Sequence, residues 1–225
     1  MTLSEAKQDL ARKLNIDYAD IANNQLVSDA DLTAWIQAGV HKAWDFKPWD
    51  FTEGDKKTTS ISAEYYDYPQ DFQSGSINLL LVGGEEFRKL SYKAYRLALE
   101  KDPSSTEKIW AERKRFYFIN QNAYTAGAEI VLFGKLKAPT LTNANDLLPF
   151  SPDSDNEEYS GNGAIVRLAY SEALGSRKYN NPSQAKQEQQ DAYAILELLW
   201  KPFEDSRSDE QTENVPMFNV PDFFQ

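Results

Sequence analysis

Apolar residues near the start of the chain recur every three or four positions. Over residues 3–15 this spacing predicts a short amphipathic helix. A stronger pattern follows Ser28 and Asp31, whose side chains suit a capping box at a helix N-terminus. This second helix should end before Pro48, because proline lacks the N–H that a continuing helix needs. Its apolar stripe comprises Leu32, Trp35, Ile36, Val40, Ala43 and Trp44.

The middle of the chain changes to shorter, β-like runs that are separated by turn residues. Strands are predicted over 58–63, 76–82, 115–120 and 129–137. Between the second and third of these strands, Ser91 suits the N-cap of a helix that continues toward Asp102. The pattern therefore predicts a small sheet with one inserted helix.

Two further helices are predicted after a polar connection. Residues 139–163 are rich in Pro, Asn, Asp, Ser and Gly, which predicts a long surface connection. Helices over about 164–179 and 183–203 follow, and they should pack as a hairpin. Residues 204–214 are almost wholly polar, which predicts a solvated and flexible segment.

Together these patterns predict an α+β fold. Helices from the N- and C-terminal parts form a bundle, a small antiparallel β-sheet is inserted between them, and an extended C-terminal arm follows. The predicted domain covers residues 1–205, with helical parts 1–50 and 160–205 and a β-rich insertion 51–140. Residues 206–225 are predicted to form a flexible docking arm.

The composition limits the chemistry that the chain offers. It contains no cysteine and a single histidine, His41, which leaves little for a thiolate site, a histidine-built metal site or a catalytic triad. The acidic segment 153–158 fails as a calcium loop, because Glu158 and Ala164 stand where Gly and Glu are required. We therefore assign no catalytic residue, cofactor or metal ligand, and expect a protein that is not an enzyme.

The chain is strongly acidic. Thirty-five acidic and twenty-four basic residues give a formal net charge of -11, which disfavours nonspecific binding to the DNA backbone. An acidic surface favours solubility, and it would also let DNA slide through a conduit without sticking. No apolar run reaches membrane-spanning length and the start lacks a signal-peptide pattern, so we expect a protein made in the cytosol with no membrane partner.

A dense basic cluster, Glu112-Arg113-Lys114-Arg115, leads into a predicted strand. A charged strand edge that discourages pairing with other chains would explain it. Contact with an acidic neighbour or with the DNA backbone is the alternative.

Five local strings resemble, in their order and spacing, the head-to-tail adaptor proteins of tailed bacteriophages. Residues 43–51 are similar to that family's Trp-x-x-x-Pro-Trp-x-Phe helix exit, and residues 66–72 to its Tyr-Asp-Leu-Pro-x-Asp-Phe turn. Residues 89–92 resemble its entry to the inserted helix, and residues 139–150 stand where its acidic, proline-containing connection lies. Residues 165–173 look like the opening of its penultimate helix. The resemblance covers roughly residues 28–205, whereas residues 1–27 depart from it.

This resemblance implies a structural virion protein at the neck, or head–tail junction. It implies a homo-oligomeric ring, expected to be a dodecamer, that docks beneath the portal with its helices forming the ring and its sheet projecting outward. The implied partners are the portal protein, a tail or further neck protein and other copies of the chain. Double-stranded DNA would pass through the lumen without specific binding. The protein would be made in the host cytoplasm.

The apolar peptide at the end of the sequence is the predicted partner-binding segment, docking onto the portal or onto a neighbouring subunit. The alternative is that it folds back on its own domain. Its predicted docking residues are Met217, Phe218, Val220, Phe223 and Phe224.

Two other functions are compatible with the sequence. A stopper or tail-completion neck protein would bind the next ring down instead of the portal. A carbohydrate-binding or cell-wall-degrading tail module would use exposed aromatic rings to stack on sugars, and a glycosidase would add a pair of carboxylates. The candidate sugar-stacking rings are Tyr65, Tyr66, Tyr68 and Trp110.

Overall fold

The computed structural model describes residues 1–61, 63–150 and 160–213, with the backbone alone from residue 203 onward. The chain divides into two compact units. The first combines Met1–Lys47 with the chain from Pro139 onward, and the second is Pro48–Ala138. The described residues form five α-helices: α1 (Leu3–Lys13), α2 (Asp29–Phe46), α3 (Tyr92–Lys101), α4 (Gly161–Gly175) and α5 (Pro182–Glu213).

The first two helices both begin at capping boxes. The hydroxyl of Thr2 accepts from the N–H of Glu5, and the Glu5 carboxylate accepts from the N–H of Thr2 at 2.7 Å. At the start of α2 the predicted box of Ser28 and Asp31 is confirmed. Each box satisfies backbone donors that the first turn of a helix leaves unpaired. The end of α2 at Phe46 also agrees with the prediction from Pro48.

The core of the first unit is built by α2, α4 and α5. The opening of α4 is enclosed on all sides, since every residue from Ser160 to Val166 is buried. α4 and α5 pack against each other as the predicted hairpin. The apolar side chains buried in these three helices include Leu32, Ile36 and Val40 of α2, Ile165, Leu168 and Ala169 of α4, and Ala192, Ile195 and Leu196 of α5.

The last helix is longer than its predicted span. α5 continues through Glu213, beyond its predicted end at about residue 203. Residues 204–213 lack apolar side chains but also lack glycine, and Glu, Gln and Arg are good helix formers. These polar residues show no apolar stripe that would indicate a buried helix face, but they still favour the helical conformation.

The described part of the second unit contains eight strands in two four-stranded sheets. Strand order is β1-β8-β3-β4 in the first sheet and β2-β7-β6-β5 in the second. The strands are β1 (Glu53–Thr59), β2 (Tyr65–Asp67), β3 (Phe72–Val82), β4 (Glu85–Glu86), β5 (Arg88–Leu90), β6 (Ile109–Arg113), β7 (Phe116–Ile119) and β8 (Glu129–Leu136).

The predicted small antiparallel sheet was therefore wrong. The fold is α+β, but the inserted segment holds two sheets, and β5 pairs with β6 in parallel. The strands β2 and β5 have three residues each, too few to show an alternating pattern. β1 is an exposed and mostly polar strand, so its sequence carries no hydrophobic period either.

Side chains of the second sheet alternate between two separate cores. Trp110, Tyr117 and Ile119 point into the core that this sheet shares with the first sheet. Their neighbours Ala111 and Phe118 point to the opposite face, where they pack with α3. Because both faces of β6 and β7 are buried, these strands read as continuous apolar runs instead of an alternation.

Candidate interaction surface

The predicted docking peptide cannot be compared with the structure. Its five residues, Met217, Phe218, Val220, Phe223 and Phe224, lie outside the described residues. The acidic segment 153–158 lies outside them as well.

The four candidate sugar-stacking rings do not form one exposed platform. Trp110 is fully buried in the core between the two sheets. Tyr66 is also buried, and its hydroxyl contacts the hydroxyl of Tyr124 at 2.8 Å. Tyr68 is half-buried, with its hydroxyl bonded to backbone groups of β3. Of the four, Tyr65 alone is exposed, at 51%. A single open ring offers little surface to a sugar chain.

The buried and half-buried tyrosines of the second unit serve as structural groups. Burial raises the pKa of the Tyr95 hydroxyl to about 12. Burial is also the main cause that raises the pKa values of Tyr117 and Tyr124. All three hydroxyls therefore stay protonated near neutral pH, and we assign them no acid–base role.

The basic cluster lies at the turn that joins β6 to β7. Arg113 is the last residue of β6, Lys114 turns the chain with a φ of 57°, and Arg115 precedes β7. The guanidinium carbon of Arg113 lies 4.5 Å from the ring centroid of Tyr92, and that of Arg115 lies 5.0 Å from the ring centroid of Phe116. We call these five residues the arginine platform.

The aromatic half of the arginine platform had not been predicted as part of a functional surface. Phe116 begins β7 directly after Arg115, whereas Tyr92 begins α3 and only the fold brings it beside Arg113. A sequence signal for the turn does exist: three basic residues separate two apolar runs, as in a hairpin. Residue spacing alone does not say which ring each arginine covers.

A network of ion pairs joins α1, the start of α2 and the segment after α4. The Lys7 ammonium lies 2.7 Å from the Asp29 carboxylate, and its side chain is only 10% exposed. The Asp31 carboxylate accepts from Lys178 Nζ at 2.5 Å and also from the backbone N–H of Ser28. Hydrogen bonds from Lys178 and Ser28 lower the pKa of Asp31 to about 2. The network ties the N-terminal segment to the helical core.

A cavity of about 470 Å³ lies in the first unit, beside α1 and α4. Its charged lining includes Arg12 and Arg167. Arg12 lies 3.0 Å from the Asp9 carboxylate, and Arg167 lies 3.1 Å from that of Glu188. Both arginines of this lining are therefore already paired with carboxylates.

Among the described residues, no group of His, Cys, Asp and Glu side chains could hold a metal ion. In the same part of the chain, none of the helices has the length and apolar character to cross a membrane. No protein-family model matches the chain, and no curated protein matches it either.

Proposed function

We propose that the chain is a structural virion protein, a head-to-tail adaptor that forms a ring beneath the portal and links it to the tail. DNA passes through the lumen of this ring. The proposed partners are the portal, a tail or further neck protein, and other copies of the chain. Its place in the virion is the neck, and it carries out no catalysis.

The observation that carries the proposal is where the five adaptor-like strings fall in the fold. The first, residues 43–51, spans the end of α2 and the start of the second unit. The second, residues 66–72, links β2 to β3, and the third, residues 89–92, links β5 to α3. These three strings thus coincide with boundaries between helices and strands, and the resemblance likewise concerns a helix exit, a turn and a helix entry.

The fourth string also lies at a boundary, whereas the fifth lies inside a helix. Residues 139–150 begin where the chain returns to the first unit, and residues 165–173 lie within α4. The inserted β-rich unit therefore stands between α2 and the α4–α5 hairpin, the order that the resemblance implies. This agreement supports a shared architecture, and the role as an adaptor is proposed from it.

The proposal is tested by electron microscopy of the full chain mixed with the portal from the same genome. We expect an additional collar on the portal ring that follows the portal's symmetry. The proposal would be overturned if the portal ring showed no additional collar when the chain is present at concentrations well above those in the virion neck. A collar that forms on a different purified neck ring, with the portal bare, would identify a stopper instead.

The sugar-binding alternative is tested in parallel. Intrinsic fluorescence of the chain during titration with soluble sugars and a sedimentation assay with purified cell-wall fragments would both report binding. We expect neither signal to change, because three of the four candidate rings are buried or half-buried. Saturable binding that Tyr65→Ala abolishes would favour the carbohydrate-binding module.

A further inference from the structure

A cavity of about 410 Å³ in the second unit is lined by residues of β1 and β2, which are end strands of their two sheets. Its buried lining comprises Tyr66, Tyr117 and Leu132, which belong to the core that the sheets share. Its exposed lining includes Ile61, at 63%, and Tyr65, at 51%. We call it the edge cavity, and it presents an apolar surface that is open to solvent.

The edge cavity exists because β1 adds no large apolar side chain to this part of the core. Lys56 lies opposite Leu132 and Thr58 lies opposite Ile130 in the pairing of β1 with β8. Residues that lie directly opposite each other share one face of a sheet. Ile130 and Leu132 face the core between the two sheets, yet their neighbours on β1 are polar. The core is therefore left uncovered beside β1.

The backbone of β1 is open as well. Among the described residues, β1 pairs with β8 and with no other strand. In an antiparallel pair, every second residue directs its N–H and C=O groups away from the partner strand. An extended peptide can add to such an edge through these groups and place alternate side chains in pockets of the sheet. The edge cavity is a pocket in the right position for this mode of binding.

The docking peptide, residues 214–225, has the composition of a strand that adds to an edge. Pro216 and Pro221 stand on either side of residues 217–220, and proline is excluded from helix interiors and central strands but accepted on edge strands. In an extended chain, Phe218 and Val220 share one face and Asn219 lies on the other. This alternation would place two apolar side chains over the edge cavity and the polar one toward solvent.

Charge also favours the docking peptide. Lys56 and Lys57 line the edge cavity, and their carboxylate partners lie at N–O distances of 3.0 and 3.8 Å in exposed ion pairs, which contribute little. Asp67 lines it too, but lies 3.8 Å from an arginine. Lysines on an edge strand discourage pairing with chains in general. Residues 214–225 contain one charged side chain, the acidic Asp222, so their charge is opposite to that of the two lysines.

The length of α5 favours a neighbouring copy as the source of the docking peptide. The helix has 32 residues, whereas its partner α4 has 15. Trp200 is the last buried side chain described in α5, and about 20 Å of helix follows it before Glu213. The docking peptide therefore begins well beyond the side chains that pack α5 against the rest of the first unit.

We infer that the docking peptide of one copy binds the edge cavity of a neighbouring copy. Residues 217–220 pair with β1, and Phe218 and Val220 enter the edge cavity. Each copy then gives one peptide and receives another, which is a heterologous contact of the kind that closes rings. A single contact is weak because ordering the peptide costs free energy, whereas a ring makes many such contacts together. The inference rests on the proposed ring and names one of its contacts.

The chain contains no cysteine, so one introduced cysteine on each side of the contact gives an unambiguous link. Full chains with Thr58→Cys are mixed with full chains with Val220→Cys, with and without the portal, and are oxidised. We expect mass spectrometry to find a disulfide between the two substituted positions. Leu97→Cys, an exposed position on α3 outside the edge cavity, replaces Thr58→Cys in the control and should give no link above background.

A chain that carries both substitutions tests whether the contact is made within one copy. We expect its disulfides to join different copies. A double variant that links only within itself, at every concentration, would overturn the inference, because the peptide would then fold back on its own second unit.

Filling the edge cavity tests whether it contributes to assembly. Thr58→Trp places a large ring in it, whereas Thr59→Trp places the same ring on the other face of β1, and both positions are exposed. Thr58→Trp should lower self-association in sedimentation velocity by at least about tenfold, and Thr59→Trp by less than about threefold. Equal losses would overturn the inference. Circular dichroism checks that both variants keep the wild-type unfolding midpoint.

Changes in the docking peptide give the same test without altering the folded sheets. Phe218→Ser combined with Val220→Ser should match the loss caused by Thr58→Trp. Asn219→Ser, on the other face of the peptide, is the control and should leave self-association unchanged. Wild-type self-association in the double serine variant would overturn the inference, even where Thr58→Trp had weakened it.

The results separate this inference from the proposed function. A portal collar without a link between positions 58 and 220 overturns the inference and leaves the adaptor role standing. A link without any collar supports the inference and overturns the adaptor role. If Thr58→Trp leaves the collar unchanged and deletion of residues 214–225 abolishes it, the peptide binds the portal directly, which also overturns the inference.

Discussion

Gly39 of α2 faces the backbone of Ile165 in α4 so closely that a Cβ on Gly39 would lie 2.6 Å from the Ile165 carbonyl oxygen. The same atom would lie 3.2 Å from the backbone nitrogen of Ala169. Both obstacles are backbone atoms in the middle of a helix, which do not move as an exposed side chain does. The close approach of α2 and α4 therefore depends on glycine at this position.

Gly39→Ala should lower the free energy of unfolding by about 1 to 3 kcal/mol, the usual cost of adding a methyl group to a closely packed core. This loss exceeds the gain of up to about 1 kcal/mol that alanine brings within a helix. Urea unfolding followed by circular dichroism measures the change. Gly175→Ala, where the nearest atom is 3.9 Å away, is the control and should not destabilise. Wild-type stability for Gly39→Ala would contradict the close packing.

Tyr68 should stabilise the irregular part of β3 through its hydroxyl. The hydroxyl accepts from the N–H groups of Ser76 at 3.0 Å and Ile77 at 3.2 Å, and donates to the carbonyl of Gln73 at 2.8 Å. The pairing of β3 with β8 shifts register in this region, so the β8 ladder does not serve these groups in the regular way.

Tyr68→Phe should therefore cost about 1 to 3 kcal/mol, because it removes the partner of part-buried backbone groups. Thermal unfolding and hydrogen exchange at Ser76 and Ile77 measure the effect. Tyr65→Phe removes an exposed hydroxyl and should change stability by less than about 0.5 kcal/mol. Unchanged exchange at Ser76 in Tyr68→Phe would show that the hydroxyl does not protect the bulge.

Asp31 should make stability depend on acid pH. Its pKa in the folded protein is lowered from 3.8 to about 2 by Lys178 and Ser28. A lowered folded pKa favours the folded state above the unfolded pKa, and this contribution is lost as pH falls from about 4 toward 2. Asp31→Asn should thus be less stable than wild type at pH 7, and the gap should narrow across this window.

Urea unfolding at a series of pH values measures that gap. The difference in stability between Lys178→Gln and wild type should also narrow as the pH falls, but by less. This substitution removes the largest cause of the lowered Asp31 pKa and leaves the hydrogen bonds to Ser28. A gap that stays constant from pH 7 to pH 2 would mean that Asp31 titrates alike in the folded and unfolded chains.

Deletion of residues 214–225 tests the predicted docking peptide. It removes all five docking residues and ends the chain after α5, at Glu213. We expect the truncated chain to keep its unfolding midpoint and to lose binding to the portal, measured by co-sedimentation. Replacing Phe218, Phe223 and Phe224 by serine in the full chain should have the same effect. Normal portal binding by both variants would rule out the docking role, and a lower midpoint would favour packing on its own domain.

Local signals in the sequence identified the helices of this fold well. Ser28 and Ser91 both cap the helices expected of them, and Pro48 follows the end of α2. These residues act through their own backbone neighbours, within three or four positions. Such contacts do not depend on the rest of the fold, and the sequence therefore predicts them directly.

The sheets and the candidate surface were harder to predict because they depend on distant residues. The segment from Tyr66 to Asp71 has the composition of a turn, yet its first residues form β2 by pairing with β7. Polar strand β1 is held by β8 rather than by its own side chains. The arginine platform likewise requires Tyr92 to meet Arg113 across the fold. In each case the deciding partner is far away in sequence.

The placement of the second unit as one uninterrupted insertion has a consequence for synthesis on the ribosome. All strands of Pro48–Ala138 are translated before α4, so this unit can complete its core without the helices that follow it. The first two helices emerge sooner still, but α4, which packs against α2, follows the whole second unit in the chain. The N-terminal segment must therefore wait until α4 has been made, and the nascent chain exposes the apolar face of α2 while the second unit is being translated.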